Sequence, residues 1–433
     1  MNLTEDQILS LAPDDSSKKA GKDLANPSKW VTKGISDQAL WGECQGSGSK
    51  PYQTQIDTAN IAFKCSCPSR KFPCKHGLGL LLHHSRQPDA FSRTAEPAWV
   101  TEWLGKRADT QQKKATREDK PVDEAAQQKR QQARQRKVAD GIAELRLWLK
   151  DIVRNGILNI PSKGASWFDN MAKRMVDAQA GGLAGMVRGL GETNFYADGW
   201  QSEFMARLVN IYLVIEGYTN GDSLHEALQQ DLRTLIGFPQ NQDELRAQAG
   251  ITDTWLVIAK QTIDTDNITT ERNWLYGMNS GRYALVLQFI IRGQGAELSL
   301  TPGLNLEAEL VFFPSASPLR AIVKSQSASG RTGKPEGLES WLKVAEAETA
   351  SAAALPVRSE RPFVVKALKP VQYNNSWWLQ DETRHMMQLK NRYNTFWKLL
   401  SLSGGQAMDM VVIGKEDQYE TVAVWHNNEF TIL

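Results

Sequence analysis

Residues 63–82 read FKCSCPSRKFPCKHGLGLLL, and this stretch decides which fold the N-terminal part of the chain can adopt. It contains three of the four cysteines and one of the six histidines in the 433-residue sequence. Such clustering indicates a metal site, a disulfide or a group of buried thiols. The spacing of the four side chains, C-x-C-x6-C-x-H, favours the first of these.

The four side chains at this spacing are Cys65, Cys67, Cys74 and His76. The preceding segment alternates as a β-strand does, and residues two apart in a strand face the same side, so the first two cysteines can point at one centre. Pro73 favours an extended residue before it and a helix after it. We therefore expect a hairpin followed by a helix, with ligands at the strand end and at the helix start.

Three cysteines and one histidine match the donors that Zn²⁺ prefers, and four protein donors make a closed, structural site. A disulfide is disfavoured by the poor geometry of a C-x-C pair and by a cysteine content too low for a disulfide scaffold. We expect zinc to supply much of the folding energy of this small unit, on the order of 10–16 kcal/mol of apparent binding energy. The cations Lys64, Arg70, Lys71 and Lys75 surround the ligands and would offset the thiolate charge.

Three further residues near the cluster are expected to bind no metal. Cys44 lies in a preceding strand and is interpreted as a buried thiol. His83 and His84 follow on the helix and are interpreted as surface or packing residues.

The spacing, with CPS after the first pair and FPCKHGLGLLL at its end, resembles the SWIM zinc finger. The resemblance implies a ββα unit over about residues 38–85, with Cys65, Cys67, Cys74 and His76 as zinc ligands. It also implies binding to proteins or DNA. The helical part and a tail containing WWL (377–379) and WKLLSLSGG (397–405) resemble long bacterial SWIM proteins. Those are often encoded beside a MoxR-type AAA ATPase and a von Willebrand A-domain protein, which are the implied partners.

Composition and patterning indicate a multidomain α+β protein with a small ββα zinc finger, a mostly helical middle block and a β-rich C-terminal block. The N-terminal unit is predicted over 1–105, a basic linker or solvated helix over 106–137, the helical block over 138–250 and the β-rich block over 251–433. The glycine-rich run 181–191 is interpreted as a turn between helices, and Ser223 with Glu226 as a capping box. The sequence shows no convincing internal repeat.

The basic stretch 106–137 has eleven Lys and Arg against five acids, whereas the whole chain has a net charge of only +2. Two hypotheses follow: a zinc-binding platform for protein partners, or nucleic-acid binding in which Arg70, Lys71 and Lys75 join this stretch in contacting phosphates. The alternative for the stretch itself is a solubilising linker.

Enzyme function has no support from the sequence. Phosphate-loop, zinc-protease and nucleophile-elbow motifs are missing, although a site in the β-rich block stays a third hypothesis. Most of the fourteen tryptophans should lie in a core, and Trp377–Trp378 could instead form an exposed ligand-binding pair. Neither a signal peptide nor a membrane-spanning run is recognisable, so we expect a cytoplasmic protein without membrane contact.

Overall fold

The computed structural model describes residues 3–46, 48, 50–58, 61–69, 71–115, 124–264, 268–291, 298, 300–330, 333–390, 393–427 and 429–433. Arg70 and residues 116–123 of the basic stretch lie outside these ranges. The described residues form a small N-terminal unit, a helical middle block and a β-rich C-terminal block, so the predicted α+β fold class is confirmed. Among them, no helix is both long and apolar enough to cross a lipid bilayer.

The N-terminal unit is a five-stranded sheet covered by helices. Its elements are α1 (Glu5–Ser10), α2 (Asp15–Leu24), β1 (Trp30–Ile35), β2 (Ala39–Cys44), β3 (Tyr52–Asp57), β4 (Ala62–Cys65), α3 (Lys75–Arg86), β5 (Ser92–Arg93) and α4 (Ala98–Ala115). The strand order is β4-β3-β2-β1-β5. The helix α3 lies buried between the sheet and α2, and its Gly79 has no room for a side chain, since a Cβ there would be 2.6 Å from that of Leu24.

The helical block consists of packed helices around one apolar core. They are α5 (Glu124–Asn155), α6 (Ala165–Asp177), α7 (Gly181–Gly191), α8 (Trp200–Thr219), α9 (Glu226–Ile236) and α10 (Gln242–Ala247). The periodic residues Val138, Ile142, Leu145 and Leu149 are buried in that core, whereas Val153 is exposed. The helix α5 runs without interruption from the basic stretch into the bundle.

Two local interpretations in this block are wrong. The glycine-rich run forms the helix α7, because its Leu183, Val187 and Leu190 recur at helical spacing and are all buried. Burial of this apolar face outweighs the low helix propensity of glycine. The N-cap of α9 is His225, whose side chain accepts a hydrogen bond from the backbone of Ala227, and Ser223 lies in the preceding 3-10 turn.

The β-rich block contains two sheets that each close on themselves. The first consists of β6 (Ile251–Asp264), β7 (Ile268–Gly277), β8 (Tyr283–Ile291), β9 (Asn305–Phe312) and β10 (Arg320–Gly330). Its strand order is β10-β8-β7-β6-β9, with β9 pairing back onto β10. The interior is filled by buried apolar residues such as Trp255, Leu275 and Leu310.

The second sheet repeats this plan. Its elements are α11 (Trp341–Ala354), β11 (Arg361–Tyr373), β12 (Ser376–Gln380), β13 (Met386–Leu389), α12 (Tyr393–Ser403), β14 (Met408–Lys415), β15 (Gln418–His426) and β16 (Glu429–Ile432). The strand β11 pairs with β12 and β14, β12 with β13, and β14 with β15, all antiparallel, while β13 pairs with β15 in parallel.

The two closed sheets therefore share one topology. In each, the first strand pairs with the second along one half and with the fourth along the other, and the third and fifth strands are parallel. The second adds β16 as an edge strand. This internal repeat was missed from the sequence, because the shared pairing pattern is carried by different side chains and different loop lengths.

Candidate metal centre

The candidate ligands are brought together by the hairpin β3–β4 and the start of α3. Cys65 is the last residue of β4, Cys67 lies in the turn that follows, and Cys74 is the N-cap of α3 with His76 in its first turn. The Phe72–Pro73 peptide bond, which leads into the helix, is cis. This is the predicted arrangement of ligands at a strand end and at a helix start.

The four donor atoms converge on one point. They all lie within 4.8 Å of one another, and the Nδ1 atom of His76 is 3.8 Å from the sulfur of Cys65 and 3.9 Å from that of Cys74. Donors bound to one tetrahedral zinc at about 2.0–2.3 Å are roughly 3.5–3.8 Å apart. Cys74 and His76 are buried, while Cys65 and Cys67 are half-buried at the surface. The donor set and its spacing fit a closed zinc site.

The crowding of the thiols in the cluster shifts the pKa values of Cys67 and Cys74 in opposite directions. Hydrogen bonds with Cys65 and Cys74 lower the pKa of the Cys67 thiol, whereas the same crowding raises the pKa of Cys74, chiefly through its contact with Cys65. Three thiolates so close together repel one another. A divalent cation at the centre removes this repulsion and favours all three thiolates at once.

Two residues outside the expected ligand set support the site. The buried hydroxyl of Thr54 lies 3.2 Å from the sulfur of Cys65 and can donate to the thiolate, and the Tyr52 ring packs 4.9 Å from the His76 ring. Such contacts orient metal ligands. The signal that could have found Thr54 is the strand alternation, because Thr54 pairs directly with Cys65 across the β3–β4 hairpin.

The neighbouring cysteine and histidines lie outside the cluster. Cys44 is fully buried in the apolar core of the unit, and burial raises the pKa of its thiol. His83 is buried and packs 4.9 Å from the ring of Phe91, and His84 lies 5.1 Å from the same ring. The expectation that these three residues serve packing is confirmed.

The cations expected around the ligands have different environments. Lys71 forms an ion pair with Asp14 at 2.7 Å and donates to the Ser16 hydroxyl at 2.8 Å, and this contact lowers the pKa of Asp14. It thereby connects the finger to the first turn of α2. Lys64 and Lys75 are exposed, and Arg70 lies outside the described residues. Whether these cations contact a partner stays a prediction.

The tryptophan pair in the β-rich block is divided between two sides of the sheet. Trp377 is half-buried and packs on Phe396 of α12, with ring centroids 4.0 Å apart and ring planes tilted by 35°. Trp378 is half-buried on the opposite side, where its indole nitrogen donates to the backbone oxygen of Tyr373 at 3.2 Å. Both tryptophans are half-buried, so the interpretation as core residues is not borne out for either of them, although Trp377 packs against the buried Phe396.

The four converging donors form a zinc-binding module of the Cys3His type. Sequence comparison agrees with this assignment. Residues 52–85 match the SWIM zinc finger, and residues 133–236 match the SWIM-associated four-helix bundle domain. The first range spans β3, β4 and α3, and the second spans most of α5 together with α6 to α9. The chain therefore contains both domains. No curated protein and no solved structure matches it.

Proposed function

We propose that this chain is a zinc-dependent interaction protein, in which the finger holds together a platform for protein partners. The observation that carries the proposal is the convergence of Cys65 from β4 with Cys74 and His76 from α3 on one buried point. A zinc ion held by four protein donors has no position left for a substrate. Its contribution is to join strand and helix, and so to fix the surface that they present.

The partners that we propose are an AAA ATPase of the MoxR type and a von Willebrand A-domain protein, in the cytoplasm. One feature of the helical block suits a protein partner: Val209 and Leu213 are 44% and 47% exposed and lie one turn apart on the same face of α8. Grouped exposed apolar side chains are typical of docking surfaces. None of the four cysteines is paired in a disulfide, which suits a reducing compartment.

Nucleic-acid binding through the finger and the basic stretch is the second candidate. It is favoured by the exposure of Lys129, Arg136 and Lys137 along α5. On the finger, Lys71 pairs with Asp14 at the surface, so a phosphate would have to compete with that carboxylate for the lysine. For this reason the protein-partner function is the better supported of the two.

The first test is the metal content of the purified protein and of Cys74→Ser. We expect about one zinc per chain, lost in the variant together with the fold of the N-terminal unit, while the helical and β-rich blocks stay folded. Cys44→Ala is the matched control, because it removes a buried thiol outside the cluster and should retain the metal. Full zinc content in Cys74→Ser would contradict the site.

The second test is affinity purification from native cells with Val209→Asp/Leu213→Asp as the comparison. We expect the ATPase and the A-domain protein to be recovered with the unmodified chain and lost with the double variant, which should keep its zinc. Ser202→Asp, at an exposed position on the same helix, is the charge control. Recovery of neither partner by the unmodified chain would refute this assignment.

A further inference from the structure

The second closed sheet of the β-rich block carries exposed aromatic and basic side chains on the outer side of β11 and β12 and directly before and after β13. We name this surface the aromatic–basic face and define it by Tyr373, Trp378, Lys369, Arg384 and Lys390. We propose that it binds single-stranded nucleic acid, with bases stacked on the aromatic rings and phosphates on the cations. The proposal is independent of the zinc site and of the protein partners.

The topology of the β-rich block favours a ligand-binding role for this surface. The order shared by the two closed sheets, in which strands one to three form a meander and strand five pairs with strands three and four, is that of the OB fold. The second sheet also has a helix, α12, between its third and fourth strands. In OB folds, strands two and three bind oligonucleotides or oligosaccharides. A fold does not determine function, so the ligand has to be inferred from the side chains on this face.

In the first sheet, the corresponding face is covered by the second. Trp274 and Tyr276 on β7 and Tyr283 on β8 pack against outward-facing residues of the second sheet, including Val364 and Trp425. The hydroxyl of Tyr283 accepts a hydrogen bond from the backbone of Val364 at 2.9 Å. A ligand therefore cannot reach this part of the first sheet.

In the second sheet, no described residue covers the equivalent face, and one of its two aromatic rings, that of Trp378, is held by a hydrogen bond. Trp378 pairs with Val371 on β11 and with Gln388 on β13, so its indole lies at the middle of the three strands. The bond from its indole nitrogen to the Tyr373 backbone sets the ring orientation. Tyr373 itself is 53% exposed. Rigid exposed rings are the platform on which bases stack.

The charges on this face favour a polyanion. Lys369 lies on the same side of the sheet as Trp378, Arg384 lies in the β12–β13 connection, and Lys390 follows β13. All three are exposed, and none forms an ion pair with a residue in the described part of the chain. One nearby carboxylate, Asp381, is buried and engaged by the backbone of Trp341 and His385. Glu382 is the exposed acid in the connection.

These features favour single-stranded nucleic acid over the other ligands of such a face. A neutral oligosaccharide would leave the three cations without counter-charges, whereas a phosphate backbone supplies them. A duplex hides its base faces in the stack, so the aromatic rings would have no partner. A single strand can use both the rings and the cations.

The direct test is fluorescence anisotropy of the full-length, zinc-loaded protein with labelled dT20, rU20 and a 20-base-pair duplex, from low to physiological salt. We expect the single strands to bind more tightly than the duplex, with affinity falling as salt rises. Comparison of dT20 with rU20 distinguishes DNA from RNA. Absence of binding to both single strands at low salt, or equal binding to the duplex, would overturn the proposal.

Variants locate the binding surface. Loss of one stacking ring in Tyr373→Ala should weaken binding roughly five-fold to a hundred-fold. The triple variant Lys369→Gln/Arg384→Gln/Lys390→Gln should reduce the slope of log K against log salt by about 2, because each phosphate contact on a single strand contributes about 0.7. Trp378→Phe keeps a ring and should bind better than Trp378→Ala.

Matched controls come from other surfaces of the chain. Tyr196→Ala removes a fully exposed tyrosine from the helical block, and Lys163→Gln an exposed lysine, and both should bind as the unmodified protein does. Lys75→Gln tests the finger and should have no effect. If Tyr373→Ala and the triple variant are folded by circular dichroism and bind normally, the face is not the site. Photo-crosslinking of a 5-bromouracil oligomer only to peptides outside 366–390 would likewise place the binding site elsewhere.

Discussion

At the scale of single residues, we expect the buried His83 to make the N-terminal unit sensitive to acid. Its side chain is buried on α3, and neither ring nitrogen has a hydrogen-bond partner in the described part of the chain. Burial, together with the positive charge of Lys33, lowers the pKa of this histidine. The neutral form is therefore the one that the fold accommodates.

We predict that His83→Leu reduces the loss of stability between pH 7.5 and pH 5.5. The unfolded chain takes up a proton near pH 6.5, before the folded chain does, so His83 destabilises the fold as the pH falls below that value. At pH 5.5 the penalty is at most about 1.4 kcal/mol. The measurement is urea-induced zinc release at both pH values. Protonation of the ligands affects both proteins and cancels in the comparison.

His426→Gln, at a strand end in the β-rich block, is the control and should leave the pH dependence of zinc release unchanged. An equal loss of stability in His83→Leu and in the unmodified protein would show that the buried histidine does not contribute to the acid response.

At the scale of elements, Arg134 connects the basic part of α5 to the helical block by hydrogen bonds. Its guanidinium donates to the backbone oxygens of Gly237 at 2.9 Å and Gln179 at 3.2 Å, at the C-terminal ends of α9 and α6, and lies 5.1 Å from the Phe238 ring. Free carbonyl groups at helix ends need such donors, and a cation there also complements the helix dipole.

We predict that Arg134→Ala destabilises the helical block by about 1–2 kcal/mol, because two charge-assisted hydrogen bonds are lost at a partly buried position. Arg136→Ala, which removes an exposed arginine two residues along the same helix, should stay within about 0.5 kcal/mol. Thermal unfolding followed at 222 nm compares them. Equal midpoints for the two variants would mean that the basic segment is only a solvated extension.

Elements with local sequence signals were predictable, whereas elements and contacts that depend on other parts of the chain were not. Local signals sufficed for the zinc ligands and for α3, because spacing, Pro73 and the apolar helix face all act within a few residues. The glycine-rich α7 was missed, since its burial depends on α6 and α8. The pairing of Lys71 with Asp14 and the packing of Trp377 against α12 join segments that are not adjacent in the sequence, which a single sequence does not place.

At the scale of the whole molecule, the two closed sheets form one continuous apolar interface. Outward residues of the first sheet, such as Leu256 and Trp274, meet Val364, Ile413 and Trp425 of the second, and all are buried. A surface of this kind is exposed if the sheets separate, so neither sheet is expected to unfold alone. The interface also decides which of the two equivalent strand faces stays accessible to a ligand.

We predict that Val364→Asp destabilises both closed sheets together by about 3–5 kcal/mol, because it places an unpaired charge where the side chain is fully buried. Hydrogen exchange of the full-length protein should show faster exchange in β7 and β8 as well as in β11 and β14. Phe289→Asp introduces the same charge at a 59% exposed position of β8 and should leave protection unchanged. Faster exchange confined to the second sheet would mean that the sheets fold independently, and the covered face of the first would then open whenever the second unfolds.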